Sequence, residues 1–502
     1  MKLLRKTVTV LGLALSLCMA AQAAPPAGGW IFESTPDFPG FTRVVVKHAG
    51  ETWNGTITTT WYGDMEMTGL HPDGDKLVFK LLNGNPRLTP TDIVLQRDGK
   101  RIRMTGKLWY QDFDITARKA TASQLKKLDF RTTSLPPRRI VPQANMAPTP
   151  PMGWSSWNKF ATDISGKTVR EIADALVSSG LRDAGYVYVN IDDGWQGKRD
   201  ADGVLQPNAN FPDMKALADY LHSKGLKLGI YTSPGPKSCA GYEGTYGHVE
   251  QDARTYAQWG IDYLKYDLCS GEAFYHTAET VYATYQQMGE AINAAGRPIV
   301  YSLCEYGRFD VGSWGRDVGG HLWRTTGDIE DNYETMAKIG FDKNGVPKHT
   351  GPNGWNDPDM LEIGNGGMSD TEYRTHFSLW AMLSAPLILG NDVRHMTPET
   401  LAILTNREVI AIDQDKDGVQ GLPVKKDGKT EIWTKKLSDG TLAVGLFNRD
   451  TAEHAIDVNW AEIGLPKVSR IRDLWAHSDE KGGKSRSYKV PAHGVVLLKV
   501  WN

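Results

Sequence analysis

VEQDARTYAQWGIDYLKYD, residues 249–267, holds two elements in succession. Val249 to Trp259 repeats its apolar residues at helical spacing, and Ile261 to Asp267 is a short run rich in β-forming side chains. The couplet recurs on both sides. Thr168 to Leu181 is helical in period and Tyr186 to Ile191 reads as a strand. Met214 to Lys224 precedes Leu226 to Tyr231, and Thr280 to Ala295 precedes Ile299 to Cys304. The pattern continues to Leu387-Ile388-Leu389. Alternating strands and helices imply a parallel sheet. About 270 residues of the pattern suit an eight-stranded (β/α)8 TIM barrel, residues 149–417. A doubly wound open sheet is the alternative, but no Gly-rich phosphate loop follows the first strand to support it.

The flanks are different. Residues from Gly28 to about Phe130 are β-rich, with hairpin signals at Asn54-Gly55, Asp73-Gly74 and Asp98-Gly99. The last joins Ile93-Val94-Leu95 to Ile102-Arg103-Met104. This gives an N-terminal β-rich domain, residues 24–135, followed by a Pro-rich connection, 136–148, that favours an extended chain. Past the barrel, Asp427-Gly428 and Asp439-Gly440 mark hairpins, while Leu442 to Phe447 and Val495 to Val500 are strongly β. Residues 418–502 therefore read as an antiparallel β-sandwich.

The chain starts with an address. Lys2, Arg5 and Lys6 precede the apolar run Val8 to Met19, and Ala21-Gln22-Ala23 offers small residues for cleavage. This is a signal peptide, 1–23, and predicts a secreted or periplasmic protein. Cys18 raises lipidation, against which Leu17 is bulky where a small residue is wanted. No later run is long and apolar enough to span a bilayer, so no stable membrane insertion is expected. The formal net charge of −2 argues against nucleic acid as a partner. The 16 Trp and 19 Tyr suit a protein that packs aromatic faces on sugars, and equally suit an ordinary core. Cys239, Cys269 and Cys304 remain after cleavage, enough for one disulfide and one free thiol.

In such a barrel the chemistry sits at the C-terminal ends of the strands. Those ends carry Trp154 to Trp157, Asp192-Asp193, Tyr231, Asp267, Glu305, Asp328, Asp359 and Asn391-Asp392. Lys265 and Asp267 share one face of their strand, which places a cation where it lowers the pKa of a carboxylate. An ionised carboxylate can attack an anomeric carbon; a structural ion pair is the plainer reading. Asp328, after Gly327, is a candidate for the protonated partner that glycoside cleavage needs, or for the N-cap of a helix beginning near Asn332.

With these residues in hand, Thr149 to Gly421 resembles the α-galactosidase family, glycoside hydrolase family 27. The motifs are Pro150-Pro151-Met152-Gly153-Trp154, Asn190-Ile191-Asp192-Asp193-Gly194-Trp195, Leu264-Lys265-Tyr266-Asp267, Trp323-Arg324 with Asp328, Gly354-Trp355-Asn356-Asp357-Pro358-Asp359-Met360, and Ala385-Pro386-Leu387. The resemblance implies a retaining exo-glycosidase that removes terminal α-D-galactosyl residues by double displacement. Asp267 would be the nucleophile and Asp328 the acid/base, about 5–5.5 Å apart. Asp192 and Asp193 would accept from galactose O4 and O6. Lys265 would donate to the sugar and tune Asp267. Glu305, Arg324 and Asp359 would hold O2 and O3, and Trp157 and Tyr231 would line the pocket. Cys239 and Cys269 would form a disulfide, leaving Cys304 free. Neither metal nor organic cofactor is implied.

The chain departs from the family pattern at Gly194, Ser233, Tyr306 (where Trp is frequent) and Cys304, which lacks a second Cys; these bear on the pocket rim. The β-rich domain before the barrel lies outside the common core. β-L-Arabinopyranosidase and α-N-acetylgalactosaminidase are rival activities, and a catalytically silent glycan-binding protein is a rival from another class. Asp413-x-Asp415-x-Asp417-Gly418 imitates a calcium loop but has Val424 where a bidentate Glu is needed. Asp357-Pro358-Asp359 has no His cluster to make a metal site, Gly364 to Gly367 is a plain loop, and Asn54-Gly55-Thr56 is a sequon. The oligomeric state is not legible.

Overall fold

The computed structural model describes residues 24–33, 40–59, 63–81, 91–108, 111–125, 134–275, 277–345 and 348–502. The expected signal peptide and cleavage site, Cys18 and Phe130 lie outside the described residues. The chain divides into two compact units, residues 1–128 and 129–502.

In the first unit eight antiparallel strands follow one another in sequence order and close into a barrel, the last pairing with the first through Trp30↔Lys119 and Phe32↔Ala117. Alternate side chains point inward, as a two-residue period requires. Val44 and Val46, Leu77, Phe79 and Leu81, and Ile102 and Met104 are all buried. Turns fall at Gly74-Asp75 and Gly99-Lys100, and Leu95 sits opposite Met104 as the sequence suggests. The expected turn at Asn54-Gly55 is not there. Both residues lie inside the strand Thr52–Thr59, and the chain reverses at Gly50-Glu51 instead. Gly55 serves packing: a Cβ there would run into the sulfur of Met67 on the next strand.

The second unit holds eight parallel strands, Met152–Ser155, Tyr188–Ile191, Lys227–Thr232, Tyr263–Asp267, Val300–Cys304, Leu322–Arg324, Trp355–Asp357 and Leu387–Leu389, here called barrel strands one to eight. Each pairs with the next as far as the seventh, and the eighth pairs with the first. Leu361 closes the ring, donating to Ile388 O at 2.8 Å and accepting from Gly390 N at 2.9 Å. The helix Val249–Trp259 ends at Gly260, whose φ of 84° lets Ile261 bond back to Tyr256 O and turn into the fourth strand.

Along that strand the inward positions change character. Tyr263 packs with Tyr188, Val300, Leu322 and Trp355 in an apolar floor. Leu264 and Tyr266 belong to the large core that includes the outer helices. Lys265 and Asp267 carry the inward face toward the C-terminal mouth. The Pro-rich segment 136–148 is irregular and runs on the second unit, with Val141 N bonded to Asp317 O at 2.7 Å and Arg139 paired with Glu290. The C-terminal residues form a six-stranded and a two-stranded antiparallel sheet. Ile432, Val444, Leu446, Ile456, Val458 and Leu498 make their shared core.

Candidate active site

The acids of the mouth are built from successive strand ends. Asp192 follows the second strand. Its backbone N–H donates to Ser156 Oγ at 2.9 Å, Oδ1 accepts the Asp193 N–H at 2.9 Å, and Oδ2 accepts Lys265 Nζ at 2.9 Å. Lys265 therefore pairs directly with Asp192, 73 residues away, and not with Asp267. Burial works against the charge on Lys265, but Asp192 overrides it and the lysine pKa is raised.

Asp267 ends the fourth strand and is 4% exposed. The sequence reading expects Lys265 to lower its pKa. The balance goes the other way. Burial lifts it to about 6, while Lys265 and a hydrogen bond from Tyr306 pull down and Asp328 and Asp192 push up. The charge of Asp328 is thus felt at Asp267.

Asp328 has a side chain 57% exposed, held by Arg324 Nη2 at 3.1 Å. It is not an N-cap. Asn332 caps the helix Tyr333–Ala337 by accepting from Thr335 N. Arg324 is buried and also meets Asp359 Oδ2 at 2.9 Å. Asp359 is further fixed by the N–H groups of Ile329 and Met360. Tyr231 is buried at the third strand's end, with Lys265 Nζ 5.3 Å from its ring centre. Trp157 opens the short helix after the first strand and is half-buried.

Two acids are closed off more completely. Asp193 is fully buried, with Oδ2 accepting the Ala240 N–H at 2.7 Å and Oδ1 lacking a protein partner. Burial raises its pKa to about 7. Glu305 is also fully buried, and burial outweighs the nearby backbone N–H groups of Arg308, Glu305 and Gly307 and raises its pKa to about 8. Between mouth and floor lies a cavity lined in part by Asn190, Asp192, Tyr231, Lys265, Arg324, Asp357 and Asp359.

The eighth strand's acid belongs elsewhere. Asp392 caps the turn Val393–His395 and pairs with Arg394 at 2.8 Å; hydrogen bonds from Arg394 and His395 outweigh its burial and lower its pKa to about 2. Cys239 and Cys269 form a disulfide with Cα atoms 5.0 Å apart, and Cys304 is a buried free thiol. In the calcium-like stretch Asp413 is buried and Asp415 accepts from Ser438. The contact that sequence reading missed is Tyr306, whose hydroxyl donates to Asp267 Oδ1 at 2.5 Å. Its position next to Glu305 and its departure from the family pattern were the available signals.

A family model described as "Alpha galactosidase A" matches residues 149–415, and one described as "Alpha galactosidase C-terminal beta sandwich domain" matches residues 427–500. An α-galactosidase from Cyamopsis tetragonoloba is 48% identical over 349 residues, which is 68% of this chain and 84% of that protein. α-Galactosidase I from Mortierella vinacea superposes with a TM-score of 0.68 at 36% identity, over 72% of this chain and 99% of its own. A family 27 β-L-arabinopyranosidase from Geobacillus stearothermophilus is more distant, with a TM-score of 0.63 at 25% identity over 71% of this chain and 97% of its own.

Proposed function

The chain belongs to the α-galactosidase family, as a retaining glycoside hydrolase of terminal α-D-galactosyl residues, and we propose that Asp267 is its nucleophile and Asp328 its general acid/base. The observation that carries this is the contrast between the two acids beyond the ends of the fourth and sixth barrel strands. Asp267 is buried at the mouth, where the charge of Lys265 and a hydrogen bond from Tyr306 support the anion. Asp328 is half exposed on Arg324, where it can exchange protons with a leaving group and with water.

In the first step Asp267 bonds to the anomeric carbon as the bond to the leaving oxygen breaks, and that oxygen takes the Asp328 proton. In the second step water gives a proton to Asp328 and bonds to the same carbon. The electron pair of the ester bond returns to Asp267, and two inversions leave the α configuration. Asp192 and Lys265 would face O4, Asp193 O6, and Glu305, Arg324 and Asp359 the O2 and O3 side. Trp157 and Tyr231 would wall the pocket. The half-exposed acid supports oligo- or polysaccharide α-galactosides as substrates. The basic and apolar N-terminal segment supports export to the periplasm or beyond. Among the described residues no helix is long and apolar enough to cross a membrane.

The test is chemical rescue. Asp267→Ala should be nearly inactive on an aryl α-galactoside. Azide should restore turnover by attacking from the vacated side, giving β-galactosyl azide. Release of α-galactosyl azide, or no rescue in a folded variant that binds galactose, would remove Asp267 from this role.

A further inference from the structure

Tyr306 stands in a segment whose backbone is unusual. Tyr306, Phe309 and Asp310 have φ of 63°, 54° and 51°, and Gly307 has 77°. Non-glycine residues rarely adopt this left-handed region, so several in one loop require a surrounding structure that holds them there. The holding contacts are visible. Arg308 pairs with Glu272 at 2.6 Å, its N–H returns to Glu305 O, and Trp314 Nε1 donates to Phe309 O at 3.0 Å. The outcome is a half-buried phenol aimed at the barrel mouth. Its oxygen lies 2.5 Å from Asp267 Oδ1, 3.1 Å from Cys269 Sγ and 3.7 Å from Cys239 Sγ.

We propose that Tyr306 is a positioning residue for the nucleophile: its hydroxyl holds Asp267 Oδ1, leaves Oδ2 for the anomeric carbon, and favours departure of the carboxylate in the second half-reaction. This rests on Asp267 being the nucleophile. A hydrogen bond to a carboxylate weakens as the oxygen loses charge. It is strongest in the free enzyme, weaker in either transition state and weakest in the glycosyl ester. The Tyr306 bond therefore opposes formation of the ester somewhat and assists its breakdown. The nearby disulfide and the pinned loop keep the phenol in place through both steps.

The groups that act on Asp267 electrostatically are Lys265, Asp192, Asp193, Tyr231, Glu272, Tyr285, Cys304, Asp328 and Tyr306. Burial is the largest influence and raises the Asp267 pKa to about 6, against which Lys265 and then Tyr306 act. Activity of the free enzyme, read as kcat/KM, should fall as pH drops through that value, because the protonated acid cannot attack. Tyr306→Phe removes one of the opposing influences, so the acid limb should move to higher pH.

The experiment uses aryl α-galactosides with leaving groups good enough that kcat no longer depends on them, so that kcat reports breakdown of the ester. In Tyr306→Phe, kcat should drop about tenfold, with a burst of aryl alcohol equal to the enzyme, and the acid limb should rise by about one pH unit. Above that limb kcat/KM should stay within about twofold of wild type. Tyr306→Leu, which removes the ring too, should show the same split and shift. An acid limb that stays in place would overturn the proposal. So would kcat and kcat/KM falling together without a burst, the pattern of a structural role. Azide rescue of Asp267→Ala does not involve Tyr306, so it separates failure of this proposal from failure of the nucleophile assignment.

Discussion

Each unit of this chain contains a ring of eight strands, and the rings differ in what their inward positions carry. In the antiparallel ring of the first unit most buried positions are apolar, as at Val44 and Val46 or Leu77, Phe79 and Leu81, with Arg43, Thr58 and Thr59 the buried polar exceptions. In the parallel ring they pass from the floor of Tyr188, Tyr263, Leu322 and Trp355 to a mouth of Asp192, Lys265, Asp267, Arg324 and Asp359. The first ring gains from burial over most of its length, and its buried Arg43 is paired with Thr58 and Asp64. The second gains at its floor and gives some back at its mouth, where acids are taken out of water and their pKa values rise. A ring of strands is therefore a container in both cases; the residues of one end decide whether it only folds or also reacts.

The sharpest way to break this comparison is at the mouth. Asp328→Asn keeps the shape and the contact with Arg324 but has no proton to give. Loss of a general acid costs about 10²–10⁴ in rate where the leaving group needs protonation. Oligosaccharide α-galactosides should slow by that range, and dinitrophenyl α-galactoside far less. Equal slowing of both, measured as kcat/KM at the same pH, would mean that Asp328 does not protonate the leaving oxygen.

The corresponding change in the first ring should be felt in stability alone. Leu95 is fully buried there, opposite Met104. Leu95→Ala should destabilise that unit by about 2–5 kcal/mol through lost burial and a residual cavity. Calorimetry should show an earlier transition, while kcat/KM on an aryl galactoside below that transition stays at the wild-type value. A matching loss of activity below the transition would show that the first ring contributes to the reaction.

How far these differences could be read beforehand depends on the distance over which each is determined. The fourth barrel strand was legible because its helix, its turn and its inward lysine and aspartate lie within one stretch, 249–267. The end of the sixth strand was half legible: Asp328 could be a catalytic acid or a helix cap, and only the capping bond of Asn332 settles the second reading. Asn54-Gly55 was misread because a turn signal and a packing glycine look alike in sequence, and Met67, which decides between them, is on another strand. The direct contact of Lys265 with Asp192 was not foreseen for a similar reason, since Asp192 reaches it from a different strand, while its charge does act on Asp267 as expected. The Tyr306 contact was signalled only by its place beside Glu305 and its departure from the family pattern, which mark the position but not the bond to Asp267. It arises from left-handed backbone at non-glycine residues, which no local propensity indicates.

The smallest expected effect concerns which sugar the mouth accepts. Asp193 is held by the Ala240 N–H on one oxygen, and its other oxygen, Oδ1, is buried without a protein partner. Such an oxygen costs about 1–3 kcal/mol unless something donates to it. The hydroxymethyl arm of galactose carries a donor at O6, and β-L-arabinopyranose lacks that arm. Galactose would satisfy Oδ1, and arabinopyranose would leave it unsatisfied, so wild type should favour α-galactoside by about tenfold or more. Asp193→Glu adds one methylene and moves the carboxyl into the space that the arm would occupy. The ratio of kcat/KM for nitrophenyl α-galactoside over nitrophenyl β-L-arabinopyranoside should then fall by about tenfold, mostly through loss of the galactoside rate. If Asp193 merely secures the loop at Ala240, a folded Asp193→Glu variant should lower both rates and leave their ratio unchanged. That result, or a wild type that already prefers the arabinoside, would refute the assignment of Asp193 to O6.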